Sequence, residues 1–420
     1  MKFVFLSAEG NICDLARRIS LEGNDVKVWI KDERFKHTFD GIVKKIDNWE
    51  RYANRDTIFF IDHCKLSGAG EKLRKANIPV INGSKFADKI ELDRRFGQDI
   101  MDMYGIKTPI YRSFTDFKPA IAYIKQNKNK RHVFKPSGNI STDWTYVGTD
   151  SDDMIEMIEN KFSKKWPAGV KVEFLLQDFI DGIEVSTEVW FGPKGICNIN
   201  STMEEKKFLT GNLGPSIGCA GNVVWNYQDK PNLFNKTLGK LTDRLAKEGY
   251  VGCLDINCIV SGGEPYGIEW TSRPGYDALQ AWIRTIKTDL GQAFSDLALG
   301  NAIIKTDTSF AAAVRVTIPP YPFDKADDRA DDLIKIDPKK MGNGNYWFFD
   351  AYMKNKQLYV LGIDGIICVV SDKGKTIGEA TAKCYKNIEE IKSPRDIMYR
   401  TDIGNRVPNE YKLLKDQGLL

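Results

Sequence analysis

The chain has 420 residues, of which 42% are apolar and 28% are charged, and its formal net charge is +4. A chain of this length is too long for one compact core, so we expect two or three domains of a globular protein. Basic and acidic residues are mixed along the chain, which gives no basic tail or stripe of the kind that binds nucleic acid.

The cysteines and the apolar segments bear on the compartment. The eight cysteines include no Cys-x-x-Cys pair, and with three scattered histidines they give no metal-site spacing. They indicate reduced thiols. The opening apolar run, from Phe3 to Leu6, is too short for a signal peptide, and no stretch approaches membrane-spanning length. We therefore expect a cytoplasmic protein without a membrane segment.

Strand and helix signals alternate over residues 1–84. The predicted strands are KFVFLSA, DVKVWI, TIFFID and IPVI, and helical stretches lie between the first two and between the last two. Strands separated by helices imply a parallel sheet with crossover helices. We predict an open, Rossmann-like α/β domain here. The following segment, 84–104, is strongly helical and ends at the sequence GIKTP.

The remaining elements are a small module and a longer α+β part. The module has predicted helices over 116–127 and 152–162 and strands over 132–135 and 171–178. The chain is then β-rich over 184–225, and helices are predicted over 232–248, 289–299 and 376–391. The predicted domains are 1–84, 85–303, with residues 115–180 as a small subdomain, and 304–420.

A predicted hairpin at residues 251–273 sorts its side chains by parity. Its strands, VGCLDINCIV and PYGIEWTSR, are joined by the turn SGGE. Because side chains alternate faces along a strand, one face is apolar and the other polar. Carboxylates on such a face suit Mg²⁺, and an arginine suits phosphoryl oxygens. An ordinary hairpin with a solvated polar face is the alternative. The polar positions are Asp255, Asn257, Glu269, Thr271 and Arg273.

Further short strings occur in a fixed order along the chain. They are SKFADK (84–89), YGIKTP (104–109), VFK (133–135), QDFIDGIEVS (177–186), GPSIG (214–218), GKTIGEA (374–380) and RTDIGNR (400–406). In this order and spacing, over nearly the whole chain, they resemble the ATP-grasp superfamily and, within it, the glycinamide ribonucleotide synthetases. The resemblance implies an ATP-grasp fold with an N-terminal open α/β domain and a small C-terminal β-rich domain.

The resemblance also implies a nucleotide site. Lys135 would contact phosphates and Lys206 the γ-phosphate, although an exposed EEKK charge run is the alternative for Lys206. Lys89 is a second phosphate candidate, for which Lys85 competes. Glu184 would take the ribose hydroxyls. The segment that would read the adenine edge is Gln177, Asp178, Phe179 and Ile180.

The same resemblance implies a metal site and a substrate site. Glu269 matches an acidic metal ligand, and Thr271 stands where the family has a ligand asparagine. Asp255 would compensate, so ATP with Mg²⁺ or Mn²⁺ is expected on Asp255, Glu269 and Thr271. Arg273 and Lys206 are the expected catalytic groups. The expected substrate contacts are Gly214, Pro215, Ser216 and Asp277.

Three loops depart from the family. The glycine-rich turn that holds a sugar phosphate there, GxGGREHA, is here SAEGNICDLA (7–16), which has one glycine, lacks the arginine, and would bring Glu9 near the anion. The next substrate loop, GPEAP, is IDHCK (61–65). The phosphate lid, GLAAGKG, is GNISTDWT (138–145), also with one glycine. Relative to the family, the motifs expected to bind ATP are mostly retained, whereas those expected to bind the substrates differ.

The resemblance implies an ATP-dependent carboxylate–amine ligase that works through an acyl phosphate. We expect it to join an amino acid such as glycine to an amine other than phosphoribosylamine, as a monomer or homodimer acting on small molecules. One alternative is a true phosphoribosylamine–glycine ligase. Another is a nucleotide-binding protein without turnover, suggested by Thr271 and the glycine-poor lid.

Overall fold

The computed structural model describes residues 1–137, 144–322, 334–337, 339, 344–360, 363–391 and 396–420. Within these residues the chain forms four sheets. All eight cysteines are buried and free, as expected. None of the helices described is long and apolar enough to cross a membrane.

The N-terminal segment forms the predicted parallel sheet. Its strands lie in the order β2-β1-β3-β4, and the helices are crossover connections. The sheet packs apolar residues on both faces, which explains why its strands are almost continuously hydrophobic. The elements are β1 (Lys2–Ser7), α1 (Cys13–Leu21), β2 (Asp25–Ile30), β3 (Thr57–Ile61), α2 (Ser67–Lys75) and β4 (Val80–Ile81).

The helical segment after this sheet is two helices, α3 (Lys85–Leu92) and α4 (Arg94–Met103). The break falls at Asp93, whose side chain accepts a hydrogen bond from the amide of Phe96 at 3.0 Å. Asp93 is therefore the N-cap of α4. Ser84 caps α3 in the same way, so two capped helix starts follow one another within ten residues of sequence.

The small module is an antiparallel sheet covered by short helices. Its strand order is β5-β8-β6-β7, and a cluster of stacked aromatic rings around Phe134 and Phe174 fills the space below it. The elements are β5 (Tyr111–Phe114), α5 (Phe117–Gln126), β6 (His132–Pro136), β7 (Tyr146–Val147), α6 (Ser151–Met157), α7 (Ser163–Lys165) and β8 (Phe174–Asp178).

The central feature is an eight-stranded antiparallel sheet. Five of its strands come from the middle of the chain and include the predicted hairpin. The expected helix over 232–248 is interrupted at Thr237, whose hydroxyl donates to the carbonyl of Leu233 at 2.6 Å. The elements are β9 (Ile183–Gly192), β10 (Gly195–Leu209), β11 (Leu213–Asn226), α8 (Asn232–Lys236), α9 (Thr242–Lys247), β12 (Gly252–Ser261), β13 (Glu264–Thr271), α10 (Ala278–Trp282) and α11 (Leu290–Leu299).

The C-terminal part completes the same sheet. The full order is β13-β12-β9-β10-β11-β14-β19-β16, and a second, three-stranded sheet has the order β15-β18-β17. The large sheet therefore continues across the expected boundary at residue 304. The elements are β14 (Phe310–Thr317), β15 (Ile334–Ile336), β16 (Tyr346–Phe348), β17 (Ala351–Lys354), β18 (Gln357–Val360), β19 (Ile366–Gly374), α12 (Ile377–Glu389) and α13 (Val407–Asp416).

Single helical turns complete the structure. They lie at Glu33–Phe35, Trp49–Tyr52, Cys64–Leu66, Ile158–Phe162, Leu238–Leu241 and Ile283–Thr285.

A buried ion pair attaches α10 to β14. Asp277, which precedes α10, is 0% exposed, and its two carboxylate oxygens accept hydrogen bonds from Arg315 at 2.9 and 3.0 Å. Asp277 also has a positive φ of 62°, which a non-glycine residue adopts only when its surroundings fix it. The pair therefore holds the turn that leads from β13 into α10.

We expect Arg315→Met to lower the free energy of unfolding by about 3–5 kcal/mol, because it leaves the charge of Asp277 buried and unpaired. Urea unfolding followed by circular dichroism measures this. The double variant Asp277→Leu/Arg315→Met removes both charges and should recover part of the loss. A double variant that is less stable than the single one would contradict this explanation.

Candidate functional site

The polar face of the β12–β13 hairpin forms as predicted for Asp255, Asn257, Glu269 and Thr271, but Arg273 lies beyond the end of β13. Asp255 pairs with Thr271 and Asn257 with Glu269, and a bulge follows Asn257. On its other side β12 pairs with β9, which brings Glu188 opposite Asp255. These side chains line a cavity of about 30 Å³, here called the acidic cavity. Its lining residues are Ser186, Glu188, Thr202, Glu204, Asp255, Asn257, Glu269, Thr271, Gly275 and Ala278.

Lys206 joins the nucleotide side of the site to the metal side. Its Nζ lies 2.7 Å from Oε1 of Glu184 and 2.7 Å from Oε1 of Glu269. Asn257 donates to the same oxygen of Glu184 at 2.8 Å. The charge of Lys206 holds the pKa of Glu269 well below its usual range, and it also lowers the pKa of Glu184 although burial opposes this. All three groups are therefore charged at neutral pH.

Lys135 lies on β6 beside this group and is 6% exposed. Its Nζ donates to the carbonyl oxygen of Ile268 at 2.9 Å, next to Glu269 in sequence. Burial lowers the pKa of Lys135 to about 7, and the positive charge of Arg94 acts in the same direction. A buried cation facing a metal-side carboxylate is suited to a phosphate group.

Arg94 is a site residue that the sequence reasoning missed. It is the first residue of α4, its Nε donates to the carbonyl of Pro136 at 3.1 Å, and its Nη1 lies 3.6 Å from Oε2 of Glu269. It thus bridges the end of β6 and the metal-side carboxylate. The sequence feature that could have identified Arg94 is the second helix start, where Asp93 is the N-cap and Arg94 is the first helical residue.

The structure does not bring Lys89 into this group. Lys89 is exposed on α3, and its Nζ lies 4.1 Å from the centre of the Phe96 ring. Lys85, the competing residue, is also exposed, at the start of the same helix. The basic residue that lies beside Glu269 is instead Arg94, at the start of the next helix, α4.

The predicted adenine-reading segment is the end of β8 and the residues after it. The amides of Asp178 and Phe179 donate to the carbonyls of Ile110 and Arg131, at 2.8 and 2.9 Å. Among the described residues, the amide of Ile180 has no such acceptor. Gln177 is buried, and no described residue pairs with its Nε2. Within the described residues, the amide of Ile180 is therefore available to a base edge, whereas the amides of Asp178 and Phe179 are not.

Three more carboxylates lie in or beside the acidic cavity without a cation of their own. Burial raises the pKa of Glu188 to about 7 and that of Glu204 to about 8, and burial together with Glu188 raises the pKa of Asp255 well above its usual range. Glu188 was not predicted as a site residue. It follows Glu184 and Ser186 on the same face of β9, so strand parity could have found it.

The oxygen atoms around the acidic cavity are of the kinds that bind a magnesium ion. Carboxylate, hydroxyl and amide oxygens from Glu269, Asp255, Thr271 and Asn257 surround a cavity that is large enough for one ion or water. Within the described part of the chain, however, no group of three or more acidic, histidine or cysteine side chains is close enough to hold a metal by itself. A Mg²⁺ ion usually takes one or two carboxylates and completes its shell with nucleotide phosphates and water.

Arg273 lies on the other side of the hairpin end, toward the N-terminal sheet. Its Nε is 3.3 Å from Oε1 of Glu91, and its guanidinium lies over the Tyr276 ring at 4.1 Å. The charge of Arg273 reaches the carboxyl ends of β1 and β3, where it lowers the pKa of His63 together with burial. Arg273 therefore faces a different part of the molecule from Glu269.

The carboxyl ends of β1 and β3 form the crevice where an open α/β sheet usually binds its ligand. Asp62 directly follows β3 and accepts hydrogen bonds from the hydroxyl of Ser7 and the amide of Ala8. Burial raises the pKa of Asp62 to about 7. Gly10 has a φ of 86° and leads into α1, so a turn and a helix N-terminus follow β1.

The other predicted substrate residues lie apart from this group. Gly214, Pro215 and Ser216 are at the start of β11, next to Lys207 of β10, and are exposed or half-buried. Asp277 has both oxygens on Arg315 and no exposed surface, so it can act only through the position of the backbone. The predicted lid falls mostly on residues 138–143, which lie outside the described residues.

Comparison with known proteins gives a consistent result. A sequence model of the phosphoribosylglycinamide synthetase ATP-grasp (A) domain matches residues 92–277. A curated phosphoribosylamine–glycine ligase of Fusobacterium nucleatum is 25% identical over 437 aligned positions, covering 98% of this chain and 100% of that protein.

Solved structures share the fold. The phosphoribosylamine–glycine ligase of Thermotoga maritima has a TM-score of 0.74 at 19% identity and covers 96% of this chain and 100% of its own. A biotin carboxylase domain from Hydrogenobacter thermophilus, solved with MgADP, has a TM-score of 0.64 at 11% identity and covers 99% of this chain and 94% of its own.

The predicted fold and enzyme class are thus confirmed, and the relatives' names favour phosphoribosylamine as the acceptor over the different amine that the altered loops suggested. The chain has the ATP-grasp fold, resembles the phosphoribosylamine–glycine ligases, and is an ATP-grasp carboxylate–amine ligase that forms a C–N bond with release of ADP.

Proposed function

We propose that this protein joins glycine to phosphoribosylamine in the cytoplasm, with ATP and Mg²⁺, as a monomer or homodimer. The observation that carries the ATP-dependent part is the contact of Lys206 with both Glu184 and Glu269, flanked by Lys135 and Arg94. The choice of acceptor is supported by curated relatives of that name that align with 97–98% of the chain.

In the first half-reaction a carboxylate oxygen of glycine attacks the γ-phosphorus of ATP. The bond from this phosphorus to the β-phosphate oxygen breaks, which gives ADP and an acyl phosphate. Glu184 accepts the ribose hydroxyls, and the cations of Lys135, Arg94 and Lys206 offset charge on the phosphates. A magnesium ion on Glu269, with Asp255 and Thr271 beside it, would neutralise further phosphate charge.

In the second half-reaction the acceptor nitrogen attacks the acyl carbon. The bond from that carbon to the phosphate oxygen breaks, phosphate leaves, and the nitrogen loses a proton. No side chain forms a covalent bond. The contribution of the protein is alignment, for which Arg273 is placed between the hairpin and the crevice at the ends of β1 and β3.

A second candidate keeps the chemistry and changes the acceptor. It is favoured by the acidic groups of this crevice, Glu9 and Asp62, since carboxylates repel a sugar phosphate and attract an ammonium group. The N-terminus of α1 and its preceding turn favour the phosphate. The two candidates differ only in what the crevice holds.

We expect purified protein to release ADP from ATP with glycine and phosphoribosylamine in the presence of Mg²⁺. Glu269→Gln should reduce the rate by about 100-fold, because a metal-side carboxylate is lost. Glu264→Gln is the matched control, since Glu264 lies on the same strand but pairs with Lys236 and Lys107 on the surface. Turnover with a panel of other amines, and none with phosphoribosylamine, would replace the first candidate by the second.

We expect Arg94→Met to raise KM for ATP by about 10-fold or more, because a charge-assisted phosphate contact is lost. Lys89→Met should leave KM unchanged, since Lys89 contacts only the surface of Phe96. Steady-state kinetics at saturating glycine measures both. A raised KM for Lys89→Met together with an unchanged KM for Arg94→Met would instead assign the phosphate contact to Lys89 on α3.

Nucleotide binding should take up about one proton at pH 8. In the free protein the pKa of Lys135 is about 7, so its amine is mostly neutral at that pH, and a phosphate group in contact with it favours the charged form. Calorimetric titration with ADP in buffers of different ionisation enthalpy gives the number of protons. Lys135→Met should abolish the uptake, and an unchanged value would contradict this role.

A further inference from the structure

A second cavity, much larger than the acidic cavity, lies away from the residues of the nucleotide site. It is a groove of about 530 Å³ at the start of β10, bordered by the segments 227–230 and 303–306 and by Lys287. Asn198 on its wall pairs with Trp190 of β9, six residues from Glu184. At 3.3–3.4 Å per residue the groove is therefore about 20 Å from the nucleotide site.

The charge of the groove is unbalanced. Three exposed lysines, Lys230, Lys287 and Lys305, line it, and Asp229 is the only acidic residue among the lining side chains. No ion pair holds any of the three lysines within the part of the chain that the structure describes. Three unpaired ammonium groups around one cavity favour an anion.

Apolar side chains also line the groove. Ile196, Ile199 and Ile304 lie along its wall, and Ile303 at its rim is 64% exposed. A ligand that covered Ile303 would remove apolar surface from water. Such a wall suits the flat or aliphatic part of a small molecule. The volume lies in the range of ordinary ligand cavities.

The walls are fixed by hydrogen bonds. Asn198, which is 7% exposed, donates to Thr306 at 3.4 Å and accepts from Trp282 at 3.1 Å. The amide of Ile304 donates to the carbonyl of Cys197 at 3.1 Å, and the amide of Tyr227 donates to that of Ile199 at 3.1 Å. The groove is thus formed before any ligand arrives, which lowers the cost of binding.

We propose that this groove is a second ligand site, for a small phosphate ester with an apolar or planar body. The phosphate lies among the lysines and the body lies against the isoleucines. This inference does not depend on the identity of the amine acceptor, because it uses no residue of the nucleotide site or of the N-terminal crevice.

The test uses phenyl phosphate as the probe and calorimetry as the measurement, with the nucleotide site saturated by ADP and Mg²⁺. We expect phenyl phosphate to bind, inorganic phosphate to bind more weakly and phenol not to bind. The variant Lys287→Met/Lys305→Met should raise the Kd about 10-fold or more, because two charged contacts are lost. The control variant Lys247→Met/Lys415→Met removes two exposed lysines elsewhere and should leave the Kd unchanged.

A second variant tests the rim without touching a buried residue. Ile303→Glu places a carboxylate beside the lysines and should weaken binding, whereas Leu413→Glu, at a residue 50% exposed on α13, should not. Absence of phenyl phosphate binding, equal binding of phenol, or equal loss in the control variants would overturn the proposal. So would a dimer that Ile303→Glu dissociates in sedimentation, since the groove would then hold a second copy of the chain.

Discussion

The site depends on one ammonium group between two carboxylates. Lys206 contacts Glu184 and Glu269 at equal distances, and these three residues come from β10, β9 and β13. Without the cation, two like charges would face each other in a partly buried place, where their repulsion is several times that in water. The register of the large sheet therefore fixes the distance between Glu184, the expected ribose contact, and Glu269, the expected metal ligand.

This arrangement also bears on how a metal ion would bind. Lys206 and Arg94 neutralise Glu269 in the free protein, so the carboxylate is compensated before nucleotide arrives. A phosphate chain entering with a metal offers the lysine new anionic partners, and Glu269 is then free to hold the ion. Metal and nucleotide are expected to bind together for this reason.

Much of the nucleotide side could be predicted from sequence. The parity of the hairpin strands was enough to place Asp255, Asn257, Glu269 and Thr271 on one face, because alternation along a strand is fixed by geometry. Parity on β9 could also have identified Glu188. Local pattern could not decide between two capped helices in succession, so Lys89 was chosen where the structure places Arg94.

The sequence alone could not predict which residues far apart in the chain form an ion pair. The contact between Asp277 and Arg315 joins residues 38 positions apart, in a chain with 61 basic and 57 acidic residues, and no local rule selects that pair. The apparent role of Asp277 in substrate binding followed from a motif, whereas its burial followed from packing. The continuation of the large sheet into the C-terminal part was missed for the same reason.

That continuation has a consequence for how the chain can be divided. β11 pairs through residues 221–224 with residues 311–314 of β14. A fragment that stopped at residue 303 would keep all of the nucleotide residues and leave this edge of β11 open, with Val223 and Val224 no longer covered. An open apolar edge strand pairs with other chains. Shuffling of this catalytic unit between proteins therefore has to move β14 and β19 with it.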